Sequence, residues 1–408
     1  MISLLLRALS LGSKFLLVIY LAKRLTPEDM GIYGLFTASV SYSLYLLGVD
    51  YYAFANREMM GRPESHWPLI MRDQAIFYCI SYIVSFPLLC LIFITDLISW
   101  KYFSWFYLIL TFEHLAQESN RLLIAIQKPL QAGVILFVRA GAWAYVIIFV
   151  MIKNPDARAL TTVWAGWLLG VFLSLIISCF MFRSLDWASV KQTHPDWAWI
   201  RTGVTKALPF FFSTLALRGI YTLDKYFLKY FWGETAVGVY SFYSGVANIV
   251  QYFVDAAIIV NYYPKLVSSY MLGNIKEYRI YLRQMTFAIL TAVVIIIGFL
   301  GLCIGPLLDY IAKPVYSAKI SVFWILLLAN GVVTISYIPH YALYAIGRDK
   351  DIITSTILSF FICMTLYFCL TPYWGGEGVS VAIFISVVFL LIYKQFSLQR
   401  TSGCLCKK

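Results

Sequence analysis

The sequence predicts an all-α integral membrane protein with about twelve transmembrane helices in two six-helix lobes, related by a parallel pseudo-two-fold repeat. Three observations predict it. The 408 residues are 61% hydrophobic and only 13% charged, about half the charged share of a soluble domain. Windows of about 20 apolar residues recur along the whole chain. Two corners some 200 residues apart share one pattern.

The spans follow in order. They are expected at 3–24, 31–54, 73–97, 103–125, 133–152, 160–182, 206–229, 236–262, 285–308, 320–344, 352–370 and 376–397, and are called spans 1 to 12 below. Span 1, "MISLLLRALSLGSKFLLVIYLAKRL", has no A-x-A-like cleavage site, and Arg7 and Lys14 interrupt its apolar run. It reads as a spanning helix and not as a signal peptide. The connections leave no room for a soluble domain. The expected division is an N-terminal lobe 1–182, a cytoplasmic linker 183–205, a C-terminal lobe 206–397 and a cytoplasmic tail 398–408.

Charge sets the orientation. The connections 55–72, 126–132, 183–206, 264–284 and 347–351, with the chain from 394 on counted as tail, carry eighteen Lys and Arg, and 23–30, 98–102, 153–159, 225–235, 309–319 and 371–375 carry nine. Positive residues favour the cytoplasmic side, so both termini are expected there. The net charge of +12 reads as this loop bias and not as a nucleic-acid surface. Thirty Tyr, thirty Phe and twelve Trp suit two aromatic interfacial belts. Six of the eight cysteines lie in apolar runs and read as small hydrophobes. Cys404 and Cys406 form a tail pair that reads as frayed chain, with acylation or metal binding as the alternative.

The repeat rests on matching corners. "LAKRLTPEDMGIYGLF" and "LKYFWGETAVGVYSFY" each run from an apolar stretch through a polar turn into Gly-x-Tyr. Gly31 and Tyr33 precede Gly238 and Tyr240 by 207 residues. Ala125-Ile126 and Ala345-Ile346 each precede a basic turn, 220 apart, and Arg72 and Arg283 stand 211 apart. Six helices per half is an even number, so both halves enter from one side. Such lobes enclose an axial cavity suited to alternating access. The glycines are expected to permit tight turns, with Tyr33 and Tyr240 at interface depth.

Ionisable residues at bilayer depth cost about 2.5–3.5 kcal/mol each on insertion scales, and they usually face a wet cavity or a partner. Arg7 and Lys14 are seven apart and share one face of span 1. Arg218 lies in mid-span 7 and Arg139 in the inner half of span 5. Together they are expected to line a cationic chamber. The bland readings are snorkelling of Arg7 and Arg139, or an Arg139–Glu118 pair. Span 4 contains "FEHLAQESNRLL". Glu118 is expected to pair with Arg121 three residues on, which leaves Glu113 the freer carboxylate and the better proton carrier. Glu113, Glu118 and Asp224 are the candidates for coupling to a proton or Na⁺ gradient. A packed, charge-neutral network is the alternative. Asp50 and Asp255 read as partners for neighbouring bases, and His340 as a packed or cavity histidine. Tyr42, Tyr45, Phe210, Phe211, Tyr221 and Tyr243 could stack on sugar rings, though packing explains each as simply.

"SLGSKFLLVIYLAKRLTPEDMGIYGLF", "LPFFFSTLALRGIYTLDKYFLKYFWGETAVGVYSFY" and "YAIGRDKDI" resemble the bacterial polysaccharide flippases of the O-antigen (Wzx) type. Those belong to the multidrug/oligosaccharidyl-lipid/polysaccharide exporter superfamily. The resemblance runs along essentially the whole chain, with Thr26-Pro27 where many members have Gly-Pro. It implies movement of undecaprenyl-pyrophosphate-linked oligosaccharides, such as O-antigen, capsule or exopolysaccharide units, across the bacterial inner membrane. It also implies bilayer lipid and the pathway's polymerase and chain-length regulator as partners. A lipid diphosphate cannot cross hydrocarbon unpaired, and Arg7, Lys14, Arg139 and Arg218 would supply its counter-charges.

The alternatives are a drug or cation antiporter of the same superfamily and a membrane glycosyltransferase or polymerase. No nucleophile constellation, Gly-rich phosphate loop or Cys/His metal cluster is present in the sequence. The expectation is therefore a non-enzyme with no catalytic residue, metal or cofactor.

Overall fold

A computed structural model describes residues 2–405 of the chain. Cys406, half of the tail pair, lies outside the described residues, as does the end of the expected 398–408 tail.

The all-α architecture is as the sequence predicts. Nine stretches of the described residues are long and apolar enough to cross a bilayer. Two of these, Trp197–Met271 and Asp349–Arg400, are double. Glycine breaks each of them, Gly233 at φ 77° and Gly375 at φ 54°. Spans 7 and 8 therefore meet at Gly233, and spans 11 and 12 at Gly375. Phe103–Ala125, a continuous helix of 23 residues, completes the twelve. Its Glu113, His114, Glu118 and Arg121 make it more polar than the others.

Several ends differ from expectation. Span 2 starts four residues early and runs Pro27–Gly48, with Pro27 at the first helical position, where a missing N–H costs nothing. It ends at Val49 and Asp50, both left-handed, at φ 49° and 50°. A shorter helix, Tyr51–Met60, continues from there. Val49 is a β-branched residue held in a region that such residues rarely enter. Span 5 runs Pro129–Lys153 and contains one π-helical turn, Val138–Ala142. Span 7 begins at Trp197, so the connection from span 6 occupies residues 183–196, including the short helix Ala188–Gln192. Span 10 is interrupted at Ser336, and Tyr337–Ala345 resumes it, three residues before Pro339.

The repeat is legible in the backbone. Span 4 ends at Ala125 and span 10 at Ala345. Two residues later each chain turns through a left-handed residue, Gln127 at φ 59° and Gly347 at φ 73°. The 220-residue offset is thus a repeated corner as well as repeated letters.

Contacts divide the described chain into two compact units. One takes residues up to Leu25 with Leu35–Arg218, and the other takes Thr26–Gly34 with Gly219 onward. The division therefore falls within span 7 and not at the 183–205 connection.

In the first unit, the reason is a core around Tyr51, Phe54, Phe77 and Trp199. Tyr51 stacks on Phe77 with centroids 4.2 Å apart and meets Trp199 edge-on. Gly203 lets span 7 approach closely, since a Cβ there would meet the Phe54 and Tyr51 rings at 2.6 Å. Arg72 also clasps the connection. Its guanidinium donates to the Thr193 carbonyl at 2.7 Å and the His194 carbonyl at 2.9 Å, and it pairs with Asp73.

In the second unit, Thr26–Gly34 packs against the start of span 8. Gly31 and Gly238 are helical there, so the expectation of glycine-enabled turns is corrected. A Cβ on Gly31 would strike the Glu234 carbonyl, and one on Gly238 the Pro27 carbonyl. The two Gly-x-Tyr corners touch one another backbone to backbone. Thr235 donates to Glu28 at 2.6 Å across this contact. Tyr240 is 1% exposed and donates to Asp224, so it is a buried hydrogen-bond donor and not an interfacial anchor.

Candidate transport site

Four helices of the first unit converge on Glu113. Gly141, in the π turn of span 5, brings that helix against span 1, because a Cβ there would stand 2.9 Å from the Ser10 Cα. Tyr145 donates to the Leu9 carbonyl at 2.9 Å and fixes the same contact. Span 6 closes on span 5 through Gly166 and Gly170, which leave room for Ile147 and Trp143. Trp143 and Trp167 lie parallel, 4° apart.

Inside this frame Arg139 donates to Glu113 at 2.8 Å. Trp167 donates its indole N–H to the other carboxylate oxygen at 3.1 Å. Lys14 lies within electrostatic reach of both Glu113 and Arg139. A π turn is a common device at functional sites. Here it carries Arg139 itself.

This arrangement corrects two expectations. Arg139 pairs with Glu113 and not with Glu118. Glu113 is therefore not the freer carboxylate, and the reasoning that favoured it as proton carrier loses its premise. The pairing crosses from span 4 to span 5, and helix periodicity within one span cannot show it.

Glu118 pairs with Arg121 as expected, within a larger network. It accepts from Tyr78 at 2.6 Å and from Gln74 at 3.0 Å, both on span 3. The Arg121 guanidinium lies 3.6 Å from the Tyr52 ring centroid. One turn along span 4, His114 is fully buried and shares a 2.9 Å hydrogen bond with Tyr82.

In the second unit Asp224, 1% exposed, pairs with Lys225 at 3.1 Å and accepts from Tyr240 at 2.7 Å. Thus Glu113, Glu118 and Asp224 each have a base of their own. Nearby, Gln251 donates to Asn330 and accepts from Tyr337.

The remaining bases are different. Lys14 and Arg218 are exposed and Arg7 is partly so. Among the described residues none of the three has a carboxylate within ion-pair distance. Arg218 lies over the Tyr45 ring at 4.6 Å from its centroid. The structure thus brings Lys14 and Arg139 together, and places Arg218 against Tyr45. Among the described residues no group of three or more His, Cys, Asp and Glu could hold a metal ion.

Sequence reasoning missed one buried base. Lys394, counted with the cytoplasmic tail, lies inside span 12 and is 4% exposed. It shares a hydrogen bond with the Nδ1 of His340, 3.2 Å away. The signal was the unbroken apolar run "VVFLLIY" ahead of it, which continues the helix past position 394.

The fold is that of solved MATE family transporters. The chain is similar to the solved inward-facing conformation of a multidrug resistance MATE family transporter of the MOP superfamily, with TM-score 0.75 and 14% identity. That match covers 97% of this chain and 96% of the other. It is similar to the outward-facing conformation of such a transporter, with TM-score 0.67 and 14% identity over 99% and 95% of the two chains. It also resembles a Vibrio cholerae MATE transporter mutant, with TM-score 0.59 and 13% identity over 98% and 94%. No curated protein matches. Residues 1–270 match the polysaccharide biosynthesis protein family, and the chain belongs to that family.

Proposed function

We propose that this protein is a flippase that moves undecaprenyl-pyrophosphate-linked oligosaccharide units across the bacterial inner membrane by alternating access. It works with both termini in the cytoplasm and performs no bond-making chemistry. The glycan is an O-antigen, capsule or exopolysaccharide unit, handed on to the polymerase and chain-length regulator of its pathway. Membership of a polysaccharide biosynthesis family on a transporter fold supports this reading.

One observation carries it. Each coupling-candidate carboxylate is already paired with a base, whereas among the described residues Arg7, Lys14 and Arg218 have no carboxylate within ion-pair distance. Unmatched positive charge in a membrane transporter suits an anionic cargo. A diphosphate headgroup offers oxygens for an arginine fork and for a mobile lysine ammonium. The same surplus disfavours cationic drugs as cargo.

The test is genetic. Lys14→Ala and Arg218→Ala should each abolish surface glycan in the native host while the protein stays at its normal level in the membrane. Normal surface glycan in both variants would overturn the assignment.

A further inference from the structure

The three carboxylates expected to couple an ion gradient are all held in ion pairs. Among the described residues, Lys394 is the buried lysine without such a partner. Lys394 is 4% exposed, and among the described residues its only polar partner is the His340 Nδ1 at 3.2 Å. A buried ammonium without a counter-ion is costly, and an apolar side chain of similar volume would fill the space at no such cost. We propose that Lys394 and His340 form a proton site, a dyad that holds one exchangeable proton and loads and releases it during transport. This rests on the reading of the chain as a transporter.

The chemistry is simple. In the loaded state the Lys394 ammonium donates to the lone pair of neutral His340 Nδ1. Protonating both groups would set two positive charges against each other at 3.2 Å without a carboxylate between them. The dyad therefore carries one positive charge when loaded and none when empty, after one proton has left for water. Partly exposed His340 gives the route.

Among the described residues no ion pair competes for Lys394. His340 meets the Tyr341 ring edge-on at 5.0 Å. Span 8 presents Tyr263, packed on Tyr341 and Tyr344. Span 9 presents Tyr278, which donates to the Ala342 carbonyl at 3.4 Å. Asp255 of span 8 acts on Tyr341, and Asp349 at the start of span 11 acts on Tyr263. Neither carboxylate forms an ion pair with Lys394.

Two measurements on the full-length protein test the dyad. In proteoliposomes, flipping of a fluorescent undecaprenyl-pyrophosphate-linked oligosaccharide is timed with and without an imposed proton gradient. The wild type should respond to the gradient. In Lys394→Arg, whose guanidinium keeps its proton, the ratio of the two rates should fall to about one. His340→Gln should behave likewise. A full gradient response in either variant overturns the proposal. So does a wild type that flips the lipid at equal rates in both conditions.

The second measurement needs no transport. Ring-nitrogen NMR of histidine-labelled protein follows His340, assigned by loss of its signal in His340→Gln. Its pH titration curve should move in Lys394→Met, and an unmoved curve overturns the dyad. If the wild type fails to flip this lipid while the curve moves, the cargo reading fails and the proton site stands.

Discussion

Arg139 in the π turn of span 5 donates to Glu113 of span 4 at 2.8 Å, and Trp167 holds the second oxygen of the same carboxylate. The pair is nearly dry, with each side chain 11% exposed. Removing one partner leaves the other buried and uncompensated, at a cost of about 3–5 kcal/mol. Arg139→Ala should therefore lower the melting temperature in detergent sharply. The double variant Glu113→Gln/Arg139→Gln should recover most of the loss. Equal loss in the single and double variants would contradict this ion-pair account.

Gly31 and Gly238 are predicted to be intolerant for a steric reason. A Cβ on either meets a backbone carbonyl of the facing helix, and backbone cannot swing away as a side chain can. Gly31→Ala and Gly238→Ala should each cost about 1–3 kcal/mol. Gly298, with open space around it, is the control and should accept Ala without loss. Thermal melts of the three variants read the difference.

Tyr45 should orient Arg218. A guanidinium over an aromatic face is stabilised by about 0.5–2 kcal/mol, and Arg218 has no carboxylate to hold it. Tyr45→Phe retains the ring face and should support normal surface glycan. Tyr45→Leu should weaken apparent affinity for lipid-linked glycan several-fold. If Leu and Phe behave alike, the stacking has no role in transport.

Orientation can be checked directly. Reporter fusions after Ser65, His194, Asn274 and Asp349 should report cytoplasm, and fusions after Pro155 and Lys313 should report the outside. A consistent reversal would overturn the charge-bias argument.

Much of the fold was legible because hydropathy and break residues are local signals. The twelve spans follow from apolar runs that a sequence displays, and the expected connections between spans 7 and 8 and between spans 11 and 12 contain the breaks found at Gly233 and Gly375. The Glu118–Arg121 pair was legible for the same reason, since three residues make nearly one helical turn. Contacts between helices were not. The sequence offers Glu118 as the partner of Arg139, and only the seating of span 5 against span 1 through Gly141 shows that it is Glu113. The break at Val49 was hidden because nothing in a β-branched residue announces a left-handed backbone. Lys394 was misplaced because a lysine near a terminus resembles a loop charge, and only burial shows otherwise. Gly31 and Gly238 were singled out correctly, but for turning, when their role is close approach of two helices.

The central claim is that unmatched basic side chains carry a lipid-linked anion across the membrane. Its most direct test is flipping in proteoliposomes, with a fluorescent undecaprenyl-pyrophosphate-linked oligosaccharide and an impermeant quencher. Wild-type vesicles should expose the inner-leaflet label far faster than protein-free vesicles. Losing one charge-assisted hydrogen bond costs about 1.5–3 kcal/mol, so Lys14→Ala and Arg218→Ala should each weaken apparent affinity about 10- to 100-fold. A wild-type rate equal to that of empty vesicles, or wild-type affinity in both variants, would contradict the account.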